Sequence, residues 1–210
     1  MKHPGKVKRL PGPNRLLRGL NRIVCRYWHR LGSKSITLPE GALILIGNHR
    51  CGLDPLLVQA SVDRPLCFLM AREYYHGMIG MKWFFKAVGA IPVNSGGANR
   101  HALREAIELL RAGGVVCVFP EGGANPDIPL KRIFPGAAML ALETDTPLLP
   151  FRITGVWPFD HVNIWKGLLK RCRASVYFGE QIYLEHTHSN NKSNVRAGAK
   201  QVKQALHALR

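Results

Sequence analysis

Acidic residues are missing from both ends of this chain: no Asp or Glu precedes Glu40 and none follows Glu185. All 13 lie between those two positions, where 15 Lys and Arg nearly balance them. Ten more basic residues precede Glu40 and five follow Glu185. The formal charge of +17 therefore belongs to two basic ends on an almost neutral body. Such ends suit a polyanionic surface, either a membrane or a nucleic acid. Long apolar runs are also missing. The longest stretch without a charge, Ala87 to Asn99, contains Pro, Gly and Asn and falls short of the roughly 20 apolar residues that a spanning helix needs. The chain can thus lie on a membrane but is not expected to cross one. No continuous apolar run follows the basic N-terminus, which argues against a secretory signal peptide. Cysteine is sparse: Cys25, Cys51, Cys67, Cys117 and Cys172 are odd in number, scattered, and form no CxxC pair. That usage fits reduced thiols in a cytosolic compartment, not a disulfide framework or a zinc site. The histidines show no ligand spacing with Cys or carboxylates, so no metal site is expected.

What the chain does have is enough apolar sequence, 46% of 210 residues, for one ordinary core. Residues 1–13 are rich in Pro, Gly and charge and read as a flexible lead-in. From Asn14 on, Leu16, Leu17, Leu20, Ile23, Val24, Tyr27, Trp28 and Leu31 recur at helical spacing, and Arg15, Arg18, Arg22, Arg26 and Arg30 form the opposite stripe. This pattern fits either an interfacial membrane helix or a terminal helix packed on the domain with its basic face in water. Residues 1–34 are therefore read as lead-in and amphipathic surface helix, and 35–210 as the main domain. A weaker basic helix over Val195 to Leu209 reads as a packed surface helix.

Between the ends, short apolar runs alternate with helical patterns. Strands are expected at Ala42–Gly47, Leu66–Ala71, Ala90–Val93, Val115–Phe119, Leu148–Ile153 and Ala174–Phe178. Helices are expected at Pro55–Val62 (with Asp54 as N-cap), Tyr75–Val88, Arg100–Ala112 and Gly136–Glu143. The alternation predicts a single α/β domain with a mixed, largely parallel sheet flanked by helices, plus the N-terminal basic amphipathic helix. In such sheets ligands collect at the carboxyl ends of strands. That singles out Asn48 to Asp54, after ALILIG, and Pro120 to Asp127, after VVCVF.

His49 is a candidate general base and Asp54 a candidate partner that fixes its tautomer, with Gly52 allowing the loop to turn back. Taken alone, Asp54 serves equally as a helix cap. A Cys51–His49 nucleophile pair is a weaker alternative, since residues two apart in a loop seldom align. Glu121 at a strand end is placed to line a cleft, and Gly122 and Gly123 allow backbone N–H groups close to an anion. A turn with a solvated Glu would look the same.

Together, NHRCGLDP (48–55), GAIPV (89–93), FPEG (119–122) and PLLP (147–150) resemble the four blocks of the glycerolipid acyltransferase family, which includes 1-acylglycerol-3-phosphate and tafazzin-like acyltransferases. The resemblance covers roughly Gly47 to Gly155, and its first and third blocks are the specific ones. It implies an O-acyltransferase of phospholipid biosynthesis in which His49, oriented by Asp54, deprotonates a lysolipid hydroxyl. That hydroxyl attacks the thioester of acyl-CoA or acyl-carrier protein. Glu121, Gly122 and Gly123 would hold the acceptor or the oxyanion, and no metal or bound cofactor is required. The basic amphipathic helix, with no spanning stretch beside it, leads to the expectation of a peripheral protein on an anionic membrane, at its cytoplasmic face, with no nucleic-acid partner. Two departures stand out. Gly123-Ala124 replaces the Thr-Arg that usually extends the third block, and Asn94-Ser95 replaces the Asp-Arg that usually ends the second. Either Arg100, Lys131 and Arg132, which are nearby in sequence, take their place at an acceptor-phosphate site, or the acceptor lacks a glycerol phosphate. Charge alone would favour a nucleic-acid-binding protein, but the body is neutral, no such motif appears, and the basic helix carries a wide apolar face. A thioester hydrolase using the same residues is a further alternative.

Overall fold

In a computed structural model, residues 15–72, 75, 82–93, 100–123, 130, 133–156, 169–187 and 190–209 of the chain are described. Leu43–Gly47 (β1) is buried at every position, as is Val115–Val118 (β4). Continuous apolar runs of this kind belong to parallel strands covered on both faces. Their side chains divide by the two-residue period of a strand. Leu43, Leu45, Val115 and Cys117 enter one core, while Ile44, Ile46, Val116 and Val118 enter the other. With Leu66–Ala71 (β2), Ala90–Val93 (β3), Leu148–Thr154 (β5) and Ser175–Phe178 (β6), they form a six-stranded sheet in the order β3-β2-β4-β1-β5-β6. All neighbours are parallel except β5 and β6.

The helices are Arg15–Ile23 (α1), Asp54–Ala60 (α2), Lys82–Ala87 (α3), Arg100–Arg111 (α4), Gly136–Thr144 (α5) and Asn191–Ala208 (α6). Leu57 and Val58 of α2 pack into the first core. Ala106 and Leu110 of α4, Leu140 of α5, and Val202 and Leu206 of α6 pack into the second. So the chain leaves β1 over one face and leaves the adjacent β4 over the other. Connections that diverge from neighbouring carboxyl ends leave a crevice between them, the usual ligand position in an open α/β sheet. The expected mixed, largely parallel sheet is the one observed. Residues 1–14 lie outside the described residues, as do most positions of the helix expected at Tyr75–Val88 before Lys82.

The N-terminal helix is attached by its polar side. Asn21 Nδ2 donates to Leu56 O (2.8 Å) and Arg22 Nη2 to Val62 O (3.0 Å), and Arg18 Nη1 reaches Asp63 O. These carbonyls lie in α2 or just beyond its C-terminal end, where cations are favoured. A π-helical turn, Val24–Trp28, follows. Cys25, His29 and Leu31 are then buried, and Gly32 N donates to Ala174 O (2.9 Å) beside β6. Most of the apolar side faces outward instead: Leu16 is 81% and Tyr27 78% exposed, and Leu20 and Ile23 are also exposed.

Candidate active site

β1 ends at Gly47, a glycine because Phe151 of β5 occupies the space where a side chain would start: a Cβ there would stand 2.1 Å from its ring. The next residue, Asn48, is buried and clasps β5 with both ends of its amide. Nδ2 donates to Ile153 O (3.0 Å), and Oδ1 accepts from Ile153 N (2.7 Å). The chain is thus fixed immediately before His49.

Asp54 is fully buried and collects the loop around itself. Oδ2 accepts from His49 Nδ1 (2.8 Å), Cys51 N (2.9 Å) and Arg50 N, and Oδ1 accepts from Cys51 Sγ (3.4 Å). Four donors pointed at one carboxylate hold it as an acceptor and leave Nδ1 of His49 as the protonated ring nitrogen. Nε2 is then the free base, and it has no partner among the described residues. The His49 side chain is 21% exposed, with its ring stacked on Phe119 (centroids 4.4 Å apart, 22° between planes). Phe119 in turn meets Phe151 edge-on, at 5.9 Å. The expected helix cap needs correcting: α2 starts at Asp54 with Leu53 as N-cap, and no side chain caps it. Asp54 reaches back into the loop instead of forward into its own helix. The Cys51–His49 pair does not form either. The Cys51 thiol is buried, bonded to Asp54, and pushed far up by burial and then by the Asp54 charge, so it holds its proton.

Glu121 reaches the same loop from the end of β4. Its Oε1 accepts from His49 N (2.9 Å) and its Oε2 from Leu130 N (2.7 Å). Glu121 therefore ties the loop after β1 to Leu130. Gly122 has φ +73°, a region that suits glycine, and a Cβ there would stand 2.6 Å from the Phe134 ring. Its N–H is directed to Phe119 O (3.2 Å) and closes the turn. Gly123 has open space on its Cβ side, and its N–H is unbonded among the described residues. Arg100 opens α4; Lys131 and Arg132 lie outside the described residues.

Burial raises the Glu121 carboxyl and the Asp54 charge adds to the rise; the two amides and His49 pull the other way. An acid raised on folding stabilises the protein below the ordinary Glu range, and that contribution disappears as pH climbs through the raised value. The wild type should therefore lose stability relative to Glu121→Gln as pH rises from about 4. The variant itself should be less stable at every pH, because an amide has one acceptor oxygen for two N–H donors, a loss of about 1–3 kcal/mol. Parallel melting-temperature profiles would rule out the proposed titration.

The α/β domain thus carries a buried-carboxylate–histidine pair and a glycine turn together at the carboxyl ends of β1 and β4. The sequence matches the family model for acyltransferases over residues 32–154, more than half of the chain, and the chain belongs to that family. It is 28% identical over 133 residues to the 1-acyl-sn-glycerol-3-phosphate acyltransferase of Bacillus subtilis (strain 168), covering 61% of this chain and 62% of that protein. To the probable 1-acyl-sn-glycerol-3-phosphate acyltransferase of Mycoplasma pneumoniae it is 26% identical over 143 residues, covering 63% and 51%. The chain thus spans between half and two thirds of the length of these curated relatives. The crystal structure of the 1-acyl-sn-glycerophosphate (LPA) acyltransferase PlsC from Thermotoga maritima shares the fold, with a TM-score of 0.58 at 20% identity over 92% of this chain and 80% of that one.

Sequence reasoning brought His49, Asp54 and Glu121 to one place, as the structure does. It missed the Asn48 clasp and the Phe119 stack. The signals available were an amide next to the histidine at a strand end and an aromatic closing VVCVF.

Proposed function

We propose that this chain moves a fatty acyl group from a thioester carrier, acyl-CoA or acyl-carrier protein, to the free hydroxyl of a lysophospholipid. The observation that carries this reading is the His49 ring, fixed at Nδ1 by buried Asp54 and open at Nε2 in the β1–β4 crevice. Nε2 takes the proton of the acceptor hydroxyl as its oxygen attacks the thioester carbonyl. Asp54 stabilises the imidazolium that forms. The tetrahedral oxyanion collapses, the C–S bond breaks, and the thiolate leaves with the proton returned by His49. The turn at Gly122 and Gly123, after β4, would supply backbone N–H groups toward the acceptor or the oxyanion. Glu121 acts through His49 as a positioning residue. The names of the relatives favour 1-acylglycerol 3-phosphate as acceptor.

The outward apolar face of α1 supports attachment to an anionic membrane, with the reaction on its cytoplasmic side. Helices packed on a domain bury such a face; this one presents it with basic residues on either flank. Mass spectrometry after incubation with acyl-CoA and mixed lysolipids tests the whole reading. The expected product is the diacyl phospholipid of lysophosphatidate. Free fatty acid alone would mean hydrolysis, and unchanged thioester would defeat the proposal.

A further inference from the structure

The residues that usually meet an acceptor phosphate are replaced here at 94–95 and 123–124. A compensating site lies on the other side of the catalytic loop. At the carboxyl end of β1, where β5 runs past it, a depression of ≈ 230 Å³ is walled by Asn48, Arg50, Leu130, Arg152, Thr154 and Gly155. Among the described residues its lining has two cations and no carboxylate. We propose that Arg50 and Arg152 form an anion subsite that receives the phosphate of the acyl acceptor; this rests on the acyltransferase reading above.

Four observations carry it. Arg50 is half-buried, its backbone is held by Asp54, and its guanidinium has no partner among the described residues. Arg152 is also half-buried and is anchored by one N–H to Leu209 O (3.1 Å); its other donors have no partner among the described residues. Two partly desolvated cations facing one space are unfavourable until an anion enters, and guanidinium forks fit phosphate oxygens in pairs. The wall between them is rigid, because Asn48 ties β1 to Ile153 of β5. Second, the position suits the chemistry. In a 1-acylglycerol 3-phosphate only two carbons separate the reacting hydroxyl from the phosphate ester, so a phosphate site must neighbour the base, and Arg50 is the next residue after His49. Third, the size discriminates between sources. A space of ≈ 230 Å³ lies below the roughly 300–1,000 Å³ of sites that enclose drug-sized ligands. It takes a phosphoglycerol head, whereas the nucleotide part of a donor such as CoA is larger. Fourth, the described carboxylates that touch this loop are already engaged: Asp54 accepts from four donors, and each oxygen of Glu121 accepts a backbone N–H, from His49 and from Leu130.

Calorimetric titration of the full chain with glycerol 3-phosphate reads the subsite without requiring turnover. Wild type should bind. Arg50→Gln and Arg152→Gln should each weaken binding by about tenfold or more, and Arg50→Lys, which keeps the charge but loses the fork, by less. Arg111→Gln, on the far end of α4 beside Glu143, should bind as wild type does. In kinetics, Arg50→Gln should raise KM for lysophosphatidate about tenfold and leave KM for acyl-CoA unchanged. Equal binding by Arg50→Gln and wild type would overturn the subsite. So would a raised KM for acyl-CoA with intact glycerol 3-phosphate binding, which would assign the arginines to the donor. Thermal melts exclude misfolded variants. If the wild type transfers no acyl group yet binds glycerol 3-phosphate through Arg50, the subsite stands and the acyltransferase reading falls.

Discussion

Turnover of the His49→Ala protein is expected to fall by about 10²–10⁴-fold, with little change in melting temperature. The ring lies partly in solvent against Phe119, and no backbone group depends on it. Asp54→Ala should behave differently. Its carboxylate accepts from two backbone amides, the imidazole and a thiol, and each buried donor left without an acceptor loses about 1–3 kcal/mol. That protein should lose both activity and several kcal/mol of stability. Asp54→Asn is the cleaner companion. One amide oxygen can still receive the loop N–H groups, but the charge that favours the imidazolium is gone. A stopped assay of transfer beside a thermal melt separates the three. Should His49→Ala keep more than a tenth of wild-type turnover, a general-base role for His49 is wrong.

The second large effect concerns α1. Vesicles of anionic lipid should bind the wild type strongly at low salt and partly release it at high salt. Each basic residue at such a surface contributes about 1 kcal/mol, and each large apolar side chain that enters the interface contributes up to about 1.5–3 kcal/mol. Changing Leu16, Leu20, Ile23 and Tyr27 together to Ser should therefore reduce binding by about a thousandfold or more. Stability should hardly move, because these side chains already lie in water. Deleting residues 1–34 is a poorer test, since it also removes buried Cys25, His29 and Leu31 from the core. Flotation of the Ser variant with the wild type would show that the membrane contact lies elsewhere.

The parallel strands were legible in the sequence because LILIG and VVCV are buried on both faces, and burial on both faces writes an unbroken apolar run. The His49–Asp54 spacing was legible because both groups belong to one short loop. The direction of α1 was not. Periodicity divides a helix into two faces but does not say which one meets the protein, and here the decision rests on backbone carbonyls of Leu56, Val62 and Asp63 that accept from Asn21, Arg22 and Arg18. Backbone acceptors carry no side-chain signature. For the same reason Glu121 reads as a cleft residue, while its partners are the amides of His49 and Leu130. Arg152 was hidden more completely. It is an ordinary alternating residue of β5, about 100 positions from Arg50, and only the pairing of β1 with β5 brings the two together.

Just beyond the outward face of α1, the chain enters the body without a linker. Cys25, His29 and Leu31 are buried, Gly32 pairs with Ala174, and Ser33 Oγ accepts from Val176 N (3.2 Å). A docked molecule then has a single pose. On an anionic membrane the β1–β4 crevice would then meet the lipid at one depth and one azimuth, with no swivelling step between landing and reaction. Trp28, beneath the Arg171 guanidinium at the edge of that face, would report this as one immersion depth by quenching, the same for empty and substrate-laden vesicles. Encounters with acceptor would follow lateral diffusion in the plane, so the rate would track the mole fraction of acceptor in the surface and not its concentration in the tube.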